Sequence, residues 1–187
     1  LTGQTADSNS QHQISLAPRA NPATSLGKKG PAMQTPSRAP DRLRLALFLL
    51  LVLGGGLTIG YLTAPGAWYA ALNKAVFNPP NWVFGPVWTV LYVLIAITGW
   101  RAWRSGDRTL NNFWWAQLVL NFLWSPAFFT LQQVGVALVV ILALLAAILG
   151  FLARAWRLDR LSAWMFMPYA AWVAFATALN AAILILN

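Results

Sequence analysis

Five apolar runs, each about twenty residues long and parted by short charged or polar segments, leave this chain few ways to fold. They cover Leu45–Thr63, Pro80–Trp100, Asn112–Leu131, Val134–Ala153 and Ser162–Leu186. A helix of that length crosses the hydrocarbon of a bilayer, and inside lipid a backbone must satisfy its own hydrogen bonds. No Asp, Glu, Lys or Arg falls in the central part of any run. Only 9% of residues are charged, whereas a water-soluble domain carries roughly a quarter, so most of the folded surface must face lipid. The 11 tryptophans fit the same reading, because amphipathic indoles gather at bilayer interfaces. The expected fold is an all-α membrane protein, a five-helix transmembrane bundle over residues 41–187.

Residues 1–40 carry Ser, Pro, Gln, Asn, Ala and Thr without hydrophobic periodicity and read as a disordered, basic, polar tail. The tail lacks the apolar core of a secretory signal, while its Arg and Ser content loosely resembles a transit peptide. The first methionine is Met33, so either the ordered protein begins near it or the first residue given is not the native start. A cleavable signal is the main alternative for the first run, but the run is long and has no convincing cleavage motif. Its Gly54-Gly55-Gly56 triplet would let another helix come close, or would weaken this one. Pro80 suits a first helical turn, Pro86 should bend or break the turns after it, and the fifth run contains Pro168. Residues 64–79 read as the longest loop.

Orientation follows from the bases. The tail, the 101–108 loop and the 154–160 loop carry six, three and three of the 13 Lys and Arg residues, and the other side has only Lys74. The positive-inside rule puts the N-terminal side in the cytoplasm, with the 64–79 loop and the C-terminus opposite. Because the bases flank apolar runs, the net charge of +9 points to membrane lipid as partner and not to nucleic acid.

The residue inventory excludes much chemistry. There is no Cys and no Glu, the single His12 lies in the tail, and the acids are Asp7, Asp41, Asp107 and Asp159. A protein-only metal site, a histidine-ligated haem, a Ser-His-Asp triad and a pair of intramembrane carboxylates are unavailable. The lack of ionisable groups in the spans also argues against ion-coupled transport, though not against passive carriage.

What remains is amides, hydroxyls and aromatic faces. Gln117 and Asn121 are four apart on the third span and share a face flanked by Trp114 and Trp124. Trp88 and Tyr92 repeat that spacing on the second span, and Tyr169, Trp172, Ala176 and Asn180 make a stripe on the fifth. Such faces serve either as interhelical glue or as the walls of a pocket. A cavity of Trp and Tyr faces with amides for orientation would suit a flat, hydrophobic, partly polar ligand such as a tetrapyrrole, a sterol or a fused aromatic drug.

Three stretches carry a resemblance. The segment Phe77-Asn78-Pro79-Pro80-Asn81-Trp82-Val83-Phe84-Gly85-Pro86-Val87-Trp88-Thr89-Val90-Leu91-Tyr92, the run from Ala116 to Phe129 and the run from Pro168 to Asn180 resemble, in order, the motifs of the translocator protein family. That family is also called the tryptophan-rich sensory protein or peripheral-type benzodiazepine receptor family. Trp68-Tyr69 fits as well, and the resemblance covers about residues 45–187. It implies a five-helix bundle, commonly dimeric, that binds porphyrins, haem-like tetrapyrroles, cholesterol and benzodiazepine-type drugs and needs no resident cofactor. By position, Trp88 and Trp172 match the pocket tryptophans, implicated in some members in light- and oxygen-dependent porphyrin breakdown. Tyr69, Pro79 and Pro80 match the cap of the pocket, and Gln117, Asn121, Ala176 and Asn180 match its walls. The end of the fifth run, Leu179 to Asn187, lacks the Tyr and base of the animal cholesterol motif, which fits a bacterial-type member better. The resemblance thus implies a tetrapyrrole-binding membrane sensor, with porphyrin degradation or tetrapyrrole and lipid transport as alternatives.

Overall fold

A computed structural model describes residues 38–187, with side chains from Asp41 onward, so the expected disorder of residues 1–40 falls almost wholly outside the described part. The first span is a helix in three pieces: α1 (Arg38–Leu49), a π turn (Leu50–Gly54) and α2 (Gly55–Leu62). It begins a turn or two before the apolar run itself. The glycine triplet explains how this span approaches its neighbours. A Cβ on Gly55 would lie 2.8 Å from the Phe122 ring, and one on Gly56 would lie 2.4 Å from the Tyr92 ring. Two aromatic rings therefore pack directly against the backbone of this span.

The 64–79 segment, read as a loop throughout, contains one helical turn, α3 (Ala67–Ala71), because Trp68 and Tyr69 pack edge-on against Phe128. Pro80 stands outside the second helix and not in its first turn. Its carbonyl accepts from Val83 N, closing a 3-10 turn (Asn81–Val83) that leads into α4 (Phe84–Ser105). Pro86 falls in the first turn of α4, where its missing N–H costs no helical bond. α4 ends on Gly106, whose φ of 69° is the left-handed conformation glycine adopts without strain. Asp107 then caps α5 (Arg108–Ser125) by accepting from Leu110 N at 2.7 Å. Past Ser125 a second π turn (Pro126–Thr130) carries the chain through Pro126. α6 (Val134–Leu158) and α7 (Arg160–Leu186) complete the element order, each about a turn longer than, or as long as, its apolar run.

Four of these helices are long and apolar enough to cross a membrane: Asp41–Leu62, Asn81–Ser105, Val134–Leu158 and Arg160–Leu186. α5 falls short in hydropathy because Arg108, Asn111, Asn112, Gln117 and Asn121 dilute it. Large apolar side chains such as Val139, Leu149 and Ile185 stand exposed on the outer surface, where only lipid would welcome so many. The chain is a multi-pass integral membrane protein built entirely of helices among the described residues.

The interior is continuous from Val52 and Ile95 through Trp114 and Leu118 to Ile148, Phe151, Phe166 and Tyr169. At one end of the bundle, charged pairs tie the helices crosswise. Arg101 of α4 donates from Nε and Nη2 to the two carboxylate oxygens of Asp159, both at 2.8 Å, and from Nε to Ser162 Oγ. Arg154 of α6 makes the same fork on Asp107, at 3.2 and 2.6 Å. Each aspartate is also a helix N-cap, so each pairing joins a turn to a distant helix. Arg101 holds the Asp159 carboxyl down at about 2, helped by Ser162, and Arg154 lowers that of Asp107.

Candidate functional site

At the other end lies a cavity of about 530 Å³. α2 and its C-cap supply Gly56, Leu57, Gly60 and Thr63, α3 supplies Tyr69, and the start of α4 supplies Phe84, Trp88 and Tyr92. α5 and its π turn add Asn121, Trp124, Phe128 and Phe129, and α7 adds Ala176, Leu179, Asn180 and Ile183. The aliphatic α6 contributes none.

The rings are ordered by one another. Trp88 tilts over Tyr92 at 5.2 Å between centroids and meets Tyr169 edge-on at 6.4 Å. Trp124 stacks on Phe128 at 5.4 Å, and Phe129 meets Tyr69 edge-on at 5.4 Å. Below them, the face that carries Gln117 and Asn121 points inward, as the spacing of four implies. Asn121 Nδ2 donates to Tyr169 Oη at 3.0 Å, and Tyr169 Oη donates to Gln117 Oε1 at 2.9 Å. Asn180 is fully engaged: its Oδ1 accepts from Trp124 Nε1 at 3.1 Å, and its Nδ2 donates to Val134 O at 3.0 Å. On the wall, Trp88 Nε1, Tyr92 Oη and Asn121 Oδ1 are among the polar atoms with no hydrogen-bond partner among the described residues.

Seven of the twelve expected site residues meet at this cavity: Tyr69, Trp88, Tyr92, Asn121, Trp124, Ala176 and Asn180. Five do not. Gln117 and Tyr169 lie one layer beneath the floor, joined by the Tyr169 hydroxyl, with Gln117 Nε2 left without a hydrogen-bond partner among the described residues. Pro79 and Pro80 precede the 3-10 turn and set where α4 begins without touching the wall. Trp172 stands apart from the cavity wall. It stands in the seam between α4 and α7, with Phe84 at 5.7 Å, and faces a shallow outer groove with Pro86, Val90 and Pro168. Phe84, which does line the cavity, comes between the two sites. The inward stripe of α7 is Tyr169, Val173, Ala176, Asn180 and Ile183, one position away from Trp172.

Several wall residues were not anticipated, among them Gly56, Gly60, Thr63, Ser125, Phe128 and Phe129. The glycine triplet was a visible signal for the first, and the hydroxyl pairing of Thr63 with Ser125 joins the ends of α2 and α5.

No carboxylate, ammonium, guanidinium or imidazole lines the cavity, and no cluster of metal-ligating side chains occurs among the described residues. The phenol of Tyr69, outside the spans, is raised above its ordinary value by burial. What the described wall offers a molecule is ring contact, apolar burial and neutral hydrogen-bonding atoms.

Comparison with known proteins agrees with this architecture. The model of the TspO/MBR family matches residues 47–186. The tryptophan-rich protein TspO of Archaeoglobus fulgidus is 41% identical over 150 residues, covering 78% of this chain and 97% of the relative. The tryptophan-rich sensory protein of Cereibacter sphaeroides is 38% identical over 138 residues, covering 72% of this chain and 87% of the relative. The translocator protein of Homo sapiens is 37% identical over 119 residues, covering 60% and 70%. A match of this extent, laid over a bundle whose aromatic cavity is built from the matched segments, shows that the chain belongs to the TspO/MBR family.

Proposed function

We propose that this chain is a five-span membrane receptor that senses flat, largely apolar ligands of the tetrapyrrole class in the aromatic cavity. The carrying observation is the wall itself. Rings from α3, α4 and α5 enclose about 530 Å³, within the range of small-molecule sites, while Trp88 Nε1, Tyr92 Oη and Asn121 Oδ1 have no hydrogen-bond partner among the described residues. Stacking on Trp88 and Tyr92 would add about 0.5–1.5 kcal/mol per aromatic pair beyond burial.

α5 serves as the fifth span. Its amides are turned inward, while Trp115, Val119 and Leu123 on its outer face are 47–54% exposed and apolar. The end that carries Arg101, Arg154 and their partners lies in the cytoplasm by the positive-inside rule, and the cavity opens toward the other side.

The test is titration of protoporphyrin IX into purified protein, read by tryptophan quenching. Trp88→Phe should weaken binding about tenfold, and Trp172→Phe should leave it unchanged. Equal loss in both variants, or in neither, would remove this cavity as the site.

A second reading is favoured by the accessible indole of Trp88. An indole can pass an electron to photoexcited porphyrin, with oxygen as the final acceptor, and needs no acid–base partner. Illumination in air should then yield a new pigment that is lost in Trp88→Phe and kept in Trp172→Phe. Bleaching at the rate of free porphyrin would reject this chemistry.

A further inference from the structure

The first span does not pack evenly along its length. α1 and the π turn rest on α4, but beyond the π turn α2 rests chiefly on α5. The change of neighbour separates α2 from the first turns of α4. Three residues record the gap: Leu57, Gly60 and Tyr61 line the cavity, yet Leu57 is 52% and Tyr61 84% exposed. They belong to a span that runs to Leu62, so the surface they expose faces the membrane.

Two glycines border this gap. Gly60 on α2 and Gly85 on α4 both line the cavity, both are exposed, and a Cβ on either would meet nothing within 4 Å. Among the described glycines only Gly106 has a positive φ, so the backbone does not require glycine at 60 or 85. What their small size provides is open space.

The way in past the loop is closed by comparison. The Tyr69, Phe128 and Phe129 rings interlock edge-on at 4.9–6.1 Å, Lys74 Nζ sits 4.7 Å from the Tyr69 centroid, and the Asn187 side chain bonds to the backbone N–H and carbonyl of Asn73. No charged side chain lines the cavity to draw an ion through that lattice.

We propose that the cavity is loaded sideways from the bilayer, through a portal between α2 and the start of α4 kept open by Gly60 and Gly85, and that it admits apolar ring compounds already dissolved in the membrane. The proposal rests on reading the cavity as a ligand site. Partition into lipid would then be the first step of selection, ahead of any contact with the wall.

The chain has no cysteine, so a single Ser125→Cys change places one thiol on the cavity wall. In protein reconstituted in phosphatidylcholine vesicles, a bilayer-partitioning pyrenyl maleimide should label that thiol. Adding Gly60→Phe and Gly85→Phe should slow labelling at least tenfold. Gly135→Phe, at an exposed glycine of α6 away from the cavity, should not slow it. A trimethylammonium thiosulfonate, confined to water, should react far more slowly than the maleimide. An unchanged rate in the doubly filled variant, or equal rates for the two reagents, would overturn the portal. Protoporphyrin titration is scored separately: labelling that depends on the portal, with no porphyrin binding, would leave the portal standing and remove the tetrapyrrole.

Discussion

At the charged end of the bundle every described aspartate meets an arginine of another helix, whereas at the cavity end the walls are joined by ring edges and a few neutral side chains. The two halves also differ in packing. Near the charged end a Cβ on Gly99 would lie 2.2 Å from the Trp114 indole, and one on Gly150 would lie 2.4 Å from Phe113, so helices touch ring to backbone there. At the cavity end Gly60 and Gly85 face open space. Gly56 on the cavity wall is just as tight, 2.4 Å from the Tyr92 ring, so among these helical glycines close packing occurs in both halves and open space only at the cavity end. The first span shares this asymmetry: only 11% of its apolar window is buried, against 33% in each of the other three spans that qualify. One half is held by ion pairs and close ring-to-backbone packing, and the other encloses the cavity.

The sharpest way to break the comparison is to place bulk in both halves. Trp114 is 1% exposed and anchored by Nε1 donating to Ile95 O at 2.9 Å, so it cannot swing aside for a larger residue 99. Gly99→Leu should cost about 3 kcal/mol, the upper end for overpacking a tight core, seen as a large drop in Tm in detergent. Gly60→Phe should leave Tm nearly unchanged. Equal losses would show that the two halves are packed alike.

The next effect is electrostatic and confined to the charged end. Asp159→Ala removes the N-cap of α7 and leaves Arg101 without its partner, which should cost about 1–2 kcal/mol at neutral pH. Pairing lowers the Asp159 carboxyl from 3.8 to about 2. A carboxyl lowered in the folded state stabilises fully above its unfolded value, and the contribution fades as pH falls through the folded one. Thermal stability should therefore fall between about pH 4 and pH 2, and part of that fall should vanish in Asp159→Ala. Asp107, lowered by Arg154, should act in the same direction. Porphyrin affinity at neutral pH should not change in Asp159→Ala, since no part of the clasp touches the cavity.

Much of the charged half could be read from the chain. Apolar runs of bilayer length gave away the spans, and Asp107 and Asp159 lie where helices had to begin. The inward turn of Gln117 and Asn121 followed from the period of 3.6, because amides in lipid must find partners inside. The cavity half was less legible for a physical reason. Trp88 and Trp172 both sit in aromatic stripes, but which side of α4 meets the cavity depends on how α4 and α7 cross, and local periodicity carries no record of that. Choosing Val173 in place of Trp172 turns a 3-4-4 stripe into the buried 4-3-4-3 stripe of Tyr169, Val173, Ala176, Asn180 and Ile183. Gly60 left no signal at all, because a residue that matters by leaving space looks like any other glycine in an apolar run. α5 erred in the opposite sense: the amides that make it useful inside also depress its hydropathy as a span.

The smallest effect tests how the cavity half is fastened. Asn73 N donates to Asn187 Oδ1 at 3.0 Å, and Asn187 Nδ2 donates back to Asn73 O at 3.1 Å, tying the segment after α3 to the end of α7. Both residues are exposed, so water competes for each bond, and the net worth of the pair is about 1 kcal/mol. Asn187→Ala should leave Tm within a degree or two of the parent, because local opening here does not pass through the core. It should speed hydrogen exchange at the Asn73 amide several-fold while leaving the Trp114 region protected. Exchange at Asn73 that stays as slow in the variant as in the parent would mean that the ring lattice of Tyr69, Phe128 and Phe129 holds this segment by itself. The cavity half would then be stiffer than its lack of charged ties suggests, and the contrast between the two ends would be one of chemistry and not of mobility.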